Sequence, residues 1–229
     1  MTSSASSRRN GARRGPYKPG QIRDRNFQLI IDAAEYEFAR HGYHGTSTQK
    51  IADRAGIAKA NIHYYFNSKS NLYLEVLDNI ISLWNDFLDD VSVEDDPAEV
   101  LDKFVRRKVA LSFSHPQASR VFAVEIIQGA PHIKEYIRTR MRKWVTEKAG
   151  VLRQWSAEGR MADIDPVHLI FLIWSSTQHY ADFETQVLTI LNRKDFDANT
   201  QRQVADFLSA TILRACGLST PAPLSPRTS

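Results

Sequence analysis

One cysteine, Cys216, is all the sequence offers to thiol chemistry, which excludes an internal disulfide and a cysteine-built metal site. No apolar run approaches the ~20 residues needed to cross a bilayer. Met1–Gly20 is rich in Ser, Arg and Gly and has no apolar segment, so it does not read as a secretory signal. A glycine-rich phosphate loop, a nucleophile elbow and a zinc-binding helix motif are also missing. These absences point to a cytoplasmic chain with no cofactor, no metal and no membrane partner. Alternation of the kind that marks β-strands is missing too, and no internal repeat is found.

Hydrophobic residues make up 42% of the chain, enough for a packed core. The net charge of +4 is modest, but it is unevenly spread. Residues 1–70 hold 12 of the 30 Lys+Arg against 5 of the 26 Asp+Glu, and the remainder is net acidic. A basic front fits a molecule that turns one end to a polyanion, and equally a basic tail on an unrelated domain.

Helical spacing runs through almost the whole chain, and the fold class is all-α with about nine helices. Phe27, Ile30, Ile31, Ala34 and Phe38 form an apolar stripe, and Gly42 is placed to end it. Thr46 with Gln49 resembles a capping box before a short helix that Gly56 stops. A third helix follows from about Lys59 to Tyr65, and Ser68 is placed to cap a fourth. That helix carries Leu72, Val76, Ile80, Trp84, Phe87 and Leu88 on one face. Further helices open near Pro97, Ala118 and Ile133, at Asp165-Pro166, and before Val204. The run Leu169–Phe183 is apolar on most sides and is expected to be buried on most sides. The boundaries read as a basic arm (1–22), a DNA-binding domain (23–68), a ligand-binding and dimerisation domain (69–217) and a tail (218–229).

The segment Gln49–Phe66 has the mechanics of a helix-turn-helix. Small Ala52 lets two helices cross closely, Gly56 supplies the turn, and the second helix offers Lys59, Asn61, His63 and Tyr64. A plain helical hairpin satisfies the same local pattern. The runs Gly42-Tyr43-His44-Gly45-Thr46-Ser47-Thr48, Ala55-Gly56-Ile57, His63-Tyr64-Tyr65-Phe66 and Ser68-Lys69-Ser70-Asn71-Leu72 resemble the TetR family of repressors. The resemblance implies that Thr46, Lys59, Tyr64 and Lys69 meet phosphates, with Thr48 in the same DNA-facing set. Asn61 and His63 would lie nearer the bases. Ala58 stands where members of that family often carry a serine cap. Arg8, Arg9, Arg13, Arg14 and Lys18 form a basic arm that serves either DNA contact or solubility.

In the second half, Trp174 and Gln178 lie four residues apart and share a helix face. An indole surface beside an amide suits a planar heterocycle with an imide edge, and a hydrogen-bonded core accounts for the pair equally well. Ser114-His115-Pro116-Gln117-Ala118-Ser119-Arg120, Gly129-Ala130-Pro131, Ile164-Asp165-Pro166 and the Trp174–Phe183 run resemble the pyrimidine-utilisation regulators within that family, which sense uracil and thymine. The resemblance implies that Trp84, Trp174 and Gln178 line a pyrimidine site, with Phe122 and Glu125 as further wall residues. Its implied partners are operator DNA, a small effector and a second copy of the chain. The family places the dimer seam on Leu169, Ile173, Phe207, Leu208 and Ile212; closing the monomer core is the other use for these residues.

Three other readings compete. A helical enzyme would draw on Glu125, His168, His179, Tyr180 and Asp182, but the two histidines are eleven positions apart, too far to chelate one ion from a straight helix. The others are a related regulator with a different effector and an architectural dimer with no working pocket.

Overall fold

The structure, a computed structural model, describes residues 19–85 and 90–220. The basic arm to Lys18, Phe87, Leu88 and the segment 221–229 lie outside the described residues. Among those described, ten helices occur and no strand: α1 (Pro19–Gly45), α2 (Thr48–Ala55), α3 (Lys59–Phe66), α4 (Lys69–Asn85), α5 (Pro97–Ser114), α6 (Pro116–Ile127), α7 (134–157), α8 (Pro166–Asp182), α9 (Glu184–Ile190) and α10 (Ala198–Ala215). The short α9 is the one that periodicity misses, because seven residues are too few to display a repeating face. None of these helices is long and apolar enough to cross a membrane.

Local chemistry sets most boundaries. Gly42 takes φ 64° and breaks α1 near its end. Gly56 ends α2 in the left-handed region, and its N–H reaches back toward the carbonyls of Ala52 and Asp53. Pro97, Pro116 and Pro166 each open a helix, where a missing N–H leaves no bond unmade. Asp165 caps α8 by accepting from the N–H groups of Val167 and His168, both at 2.9 Å. The cap of α2 is Ser47, which accepts from the Lys50 N–H at 3.2 Å, and not the expected Thr46. The Thr46 side chain turns inward instead.

The helices build two cores. The first joins α1 to α4 through Ile30, Phe38, Ile51, Ile62, Leu72 and Leu77, and it also takes in Ala118 and Val121 of α6 and Ile133. The second packs α5, α7, α8 and α10 around Val105, Trp155, Leu169, Ile173, Leu208 and Ile212. The first core therefore crosses the boundary expected at residue 68, and α6 is its bridge.

Two packing expectations need correction. Along α8 only one side is buried (Leu169, Ile170, Ile173, Thr177 and Ala181), while Phe171, Leu172 and Phe183 are exposed. Leu169, Ile173, Leu208 and Ile212 close the core of the single chain, leaving Phe207, 64% accessible, as the outward residue of that set.

The N-terminus of α3 shows a correctable weakness. Ala58 has the extended backbone of a cap residue (φ −68°, ψ 140°) but makes no side-chain cap bond. Ala58→Ser is expected to raise stability by about 1 kcal/mol, read as a higher urea midpoint with an unchanged slope.

Candidate DNA-reading head and effector cavity

The reading head is held rigid from behind. Glu37, buried on α1, accepts from Arg54 Nε of α2 at 2.5 Å, and the Arg54 guanidinium lies 3.5 Å from the centroid of the Tyr36 ring. The Thr46 hydroxyl sits 2.8 Å from the Gly42 carbonyl and 3.0 Å from that of Glu37. Lys69 Nζ donates to the carbonyls of Tyr43 (2.9 Å) and Thr46 (3.0 Å) and rests 4.3 Å from the centroid of the Tyr43 ring. Thr46 is thus buried, and Lys69 spends two of its three donors inside the protein. Both tie the corner between α1 and α2 to the first turn of α4.

With Ile62 and Phe66 packed inward, α3 turns Lys59, His63 and Tyr64 to solvent, Tyr64 at 73% exposure. Asn61 and Thr48 are half-buried beside them. The outward face therefore offers an ammonium, a phenol and an imidazole, donors that suit phosphates and base edges.

Behind the head lies a polar joint that the sequence did not reveal. Glu125 of α6, 1% exposed, accepts from the Tyr73 hydroxyl of α4 (3.1 Å), the His132 backbone N–H (2.7 Å) and His132 Nδ1 (3.1 Å). Burial and the adjacent Glu125 carboxylate push the Tyr73 phenol well above its ordinary value. The His132 ring packs 4.6 Å from Tyr43 and 4.9 Å from Tyr73, so the joint also touches the end of α1. The preceding turn is strained, since Ala130 adopts φ 55°, a region that disfavours a Cβ. Glu125, expected on a ligand wall, lies instead in this joint and is not among the residues lining the cavity.

That cavity has a volume of about 420 Å³ and sits where the two cores meet. From the first come Trp84 of α4 and Phe122 of α6, edge to face with ring centroids 5.0 Å apart. From the second come Trp144 of α7 and Trp174 of α8, stacked at 6.0 Å. Ser175, next to Trp174, and Gln178, one turn further along α8, supply polar atoms. Four of the five expected wall residues (Trp84, Phe122, Trp174 and Gln178) therefore share one cavity.

The rest of the wall went unseen. Ile137 and Met141 reach it from the ends of a π-helical stretch, Ile137–Met141, in which the Arg142 N–H bonds to the Ile137 carbonyl. Lys108 stands in the wall with Nζ 4.7 Å from the centroid of the Trp84 ring. Its position was legible, because it falls within the stripe Leu101, Phe104, Val105, Val109 and Ser112, where a charge is out of place. No cluster of His, Cys, Asp and Glu able to hold a metal occurs among the described residues.

Two family models cover this arrangement: bacterial regulatory proteins of the tetR family over residues 30–76, and the YcdC-like protein C-terminal region over residues 77–219. The chain belongs to the TetR family. It is a DNA-binding transcription regulator of the ligand-responsive type. This TetR-family chain is 40% identical over 160 residues to the HTH-type transcriptional regulator RutR of Escherichia coli K12, covering 70% of this chain and 76% of the relative. It is 26% identical over 170 residues to the regulator EthR of Mycolicibacterium smegmatis, covering 72% and 76%. Its fold matches that of AibR, solved in complex with isovaleryl coenzyme A and operator DNA, with a TM-score of 0.63 at 19% identity over 86% of this chain and all of that one. The regulator's first core corresponds largely to the N-terminal model, and α6 carries the C-terminal model into it.

A second cleft lies where α1, α4 and the start of α6 meet. There burial, aided by Asp32, pushes the Glu35 carboxyl up to about 7, against a bond from the Ala118 N–H. Between the ordinary carboxylate value and 7 the folded state holds a proton that the unfolded chain has released, so stability falls as pH rises through that window. Glu35→Gln is expected to match the wild type near pH 4.5 and exceed it by about 1 kcal/mol at pH 8, after discounting for partial exposure. Urea unfolding at both pH values measures the difference; a gap that is equal at both rejects it.

Proposed function

We propose that this regulator is a homodimeric repressor that binds operator DNA through α3 and is released by a pyrimidine such as uracil or thymine. The observation that carries this reading is the meeting of Trp84, Trp174 and Gln178 on one cavity. Two indoles give a planar ring flat surfaces to pack on, and the Gln178 amide gives its imide edge a donor and an acceptor. The cavity falls in the size range of small-ligand sites. The identity with RutR supports the same subgroup.

Lys59, Asn61, His63 and Tyr64, with Thr48 beside them, present the DNA-facing groups, and Thr46 and Lys69 fix the corner behind them. A single head is a weak specificity device. Two heads on a two-fold axis match half-sites about 34–36 Å apart. The exposed Leu172 of α8 and Phe207 of α10 supply apolar surface for the partner subunit.

Release needs a path from cavity to head, and two run in parallel. Trp84 lies fifteen residues beyond Lys69 on α4, about 22 Å along one helix whose first turn holds the corner of the head. On α6, Phe122 and Ile126 face the cavity while Glu125 holds Tyr73 and His132. A ring that spreads Trp84 from Phe122 thus acts on both helices that grip the head. Coupling of ~1–3 kcal/mol corresponds to a 5–150-fold change in operator affinity, with an equal effect of DNA on effector binding.

Titrating the purified protein with uracil and thymine, followed by tryptophan fluorescence and heat, tests the effector. The expected result is one saturable site per subunit, weakened at least tenfold in Gln178→Ala. Absence of binding at millimolar concentrations would remove the pyrimidine from the reading and leave the DNA-binding regulator standing. For the lever, Trp84→Ala is expected to retain operator binding yet lose most of its release by uracil in a gel-shift titration. Release that is undiminished in this variant sinks the coupling route.

A further inference from the structure

Two hydrogen-bond donors in the cavity wall meet no acceptor among the described residues. One is the indole N–H of Trp144, which is buried without a partner. The other is the ammonium of Lys108, a residue only 6% exposed, whose contact with the Trp84 ring satisfies charge but not its N–H bonds. An ammonium buried among aromatic rings is costly unless something compensates it. The charged group acting on Lys108 from the packed elements is Asp182 of α8. That carboxylate accepts from the Ser119 hydroxyl at 2.6 Å and also feels Arg120 and His179. From α4, α6 and α7 the cavity presents uncharged side chains, among them Trp84, Phe122, Met141 and Trp144.

We propose that Lys108 is the specificity-determining residue of the effector cavity, where its ammonium binds an oxygen acceptor of a planar ring whose imide edge meets Gln178. The inference rests on the pyrimidine reading and sharpens it. A ring with a carbonyl or oxyanion oxygen at that place is accepted. A ring with an amino group there sets donor against donor and is rejected.

Proton linkage gives the assignment a readout that a merely structural lysine would not move. Burial pushes the Lys108 ammonium down to about 8, opposed by the Asp182 carboxylate. An oxygen acceptor against Nζ draws the value back up. Above pH 8 the free protein has given up a proton that the complex keeps, so binding takes one up and weakens as pH rises.

The experiment is calorimetric titration of the full-length protein with uracil at pH 7 and pH 8.5, each in two buffers of different protonation heat. The wild type is expected to bind more weakly at pH 8.5 and to take up protons there. Lys108→Met is expected to lose uracil affinity roughly ten- to a hundredfold at pH 7 and to lose the proton uptake. Its ligand-free form is expected to melt higher than the wild type, because a buried charge has gone. Gln178→Ala loses affinity but keeps the uptake. Unchanged affinity in a folded Lys108→Met, or wild-type binding with no proton uptake, overturns the assignment and leaves the pyrimidine reading intact. A wild type that binds neither uracil nor thymine overturns both. The uptake measurement uses the wild type alone, so it decides the matter even if the variant does not fold.

Discussion

The packing of α6 against α1 is the constraint on which the rest of the structure depends. Val121 and Ala118 enter the same core as Ile30, Phe38 and Leu77, so a helix of the C-terminal region is part of the fold of the reading head. Small Ala118 permits the close approach, and the buried Glu125 with Tyr73 and His132 adds directional bonds to contacts that are otherwise non-directional. An apolar interface alone allows sliding at little cost. A carboxylate that is fully buried and triply bonded allows only a few arrangements, because a lost partner leaves an unsatisfied charge in the core.

The cavity follows from the same arrangement. Each core packs densely within itself, and the space remains where their aromatic rims meet, Trp84 and Phe122 on one side and Trp144 and Trp174 on the other. Interiors of close-packed side chains deform poorly in a continuous way, so a ligand at this boundary is met by rigid bodies and not by a yielding wall. In the proposed reading, displacements at the rim reach the head along α4 and α6, which supply Trp84 and Phe122 to the cavity.

Much of the fold was legible in the sequence because it rests on local rules. Gly56, Ser68, Pro97, Pro116 and Asp165 sit at helix boundaries where their chemistry predicts, and the stripe on α1 is buried as its spacing requires. The cavity was legible in part: Trp174 and Gln178 share a face by spacing alone, whereas Trp84 and Phe122 came from family likeness. What escaped depends on contacts distant in sequence. Nothing local says that Glu125 turns to Tyr73, fifty-two positions earlier, and not to the cavity that its neighbours Phe122 and Ile126 line. Thr46 looked like a cap because the pattern there fits two adjacent hydroxyls, and only the carbonyls of Glu37 and Gly42 decide which one turns in. The buried side of α8 escaped the sequence because an apolar run does not distinguish a core from an exposed apolar surface.

The π-helical stretch of α7 joins two properties of the wall, the direction its side chains face and its packing on the first core. A turn closed by a bond from Arg142 to Ile137 houses one residue more than an α-helical turn, and both its ends, Ile137 and Met141, border the cavity. Loss of one residue there would turn everything on one side of the stretch by about 100°, so the direction in which Ile137 and Met141 face the cavity depends on the extra residue. Ile137 also packs against the first core, so the shape of the wall and the seating of the reading head are set by the same irregular turn.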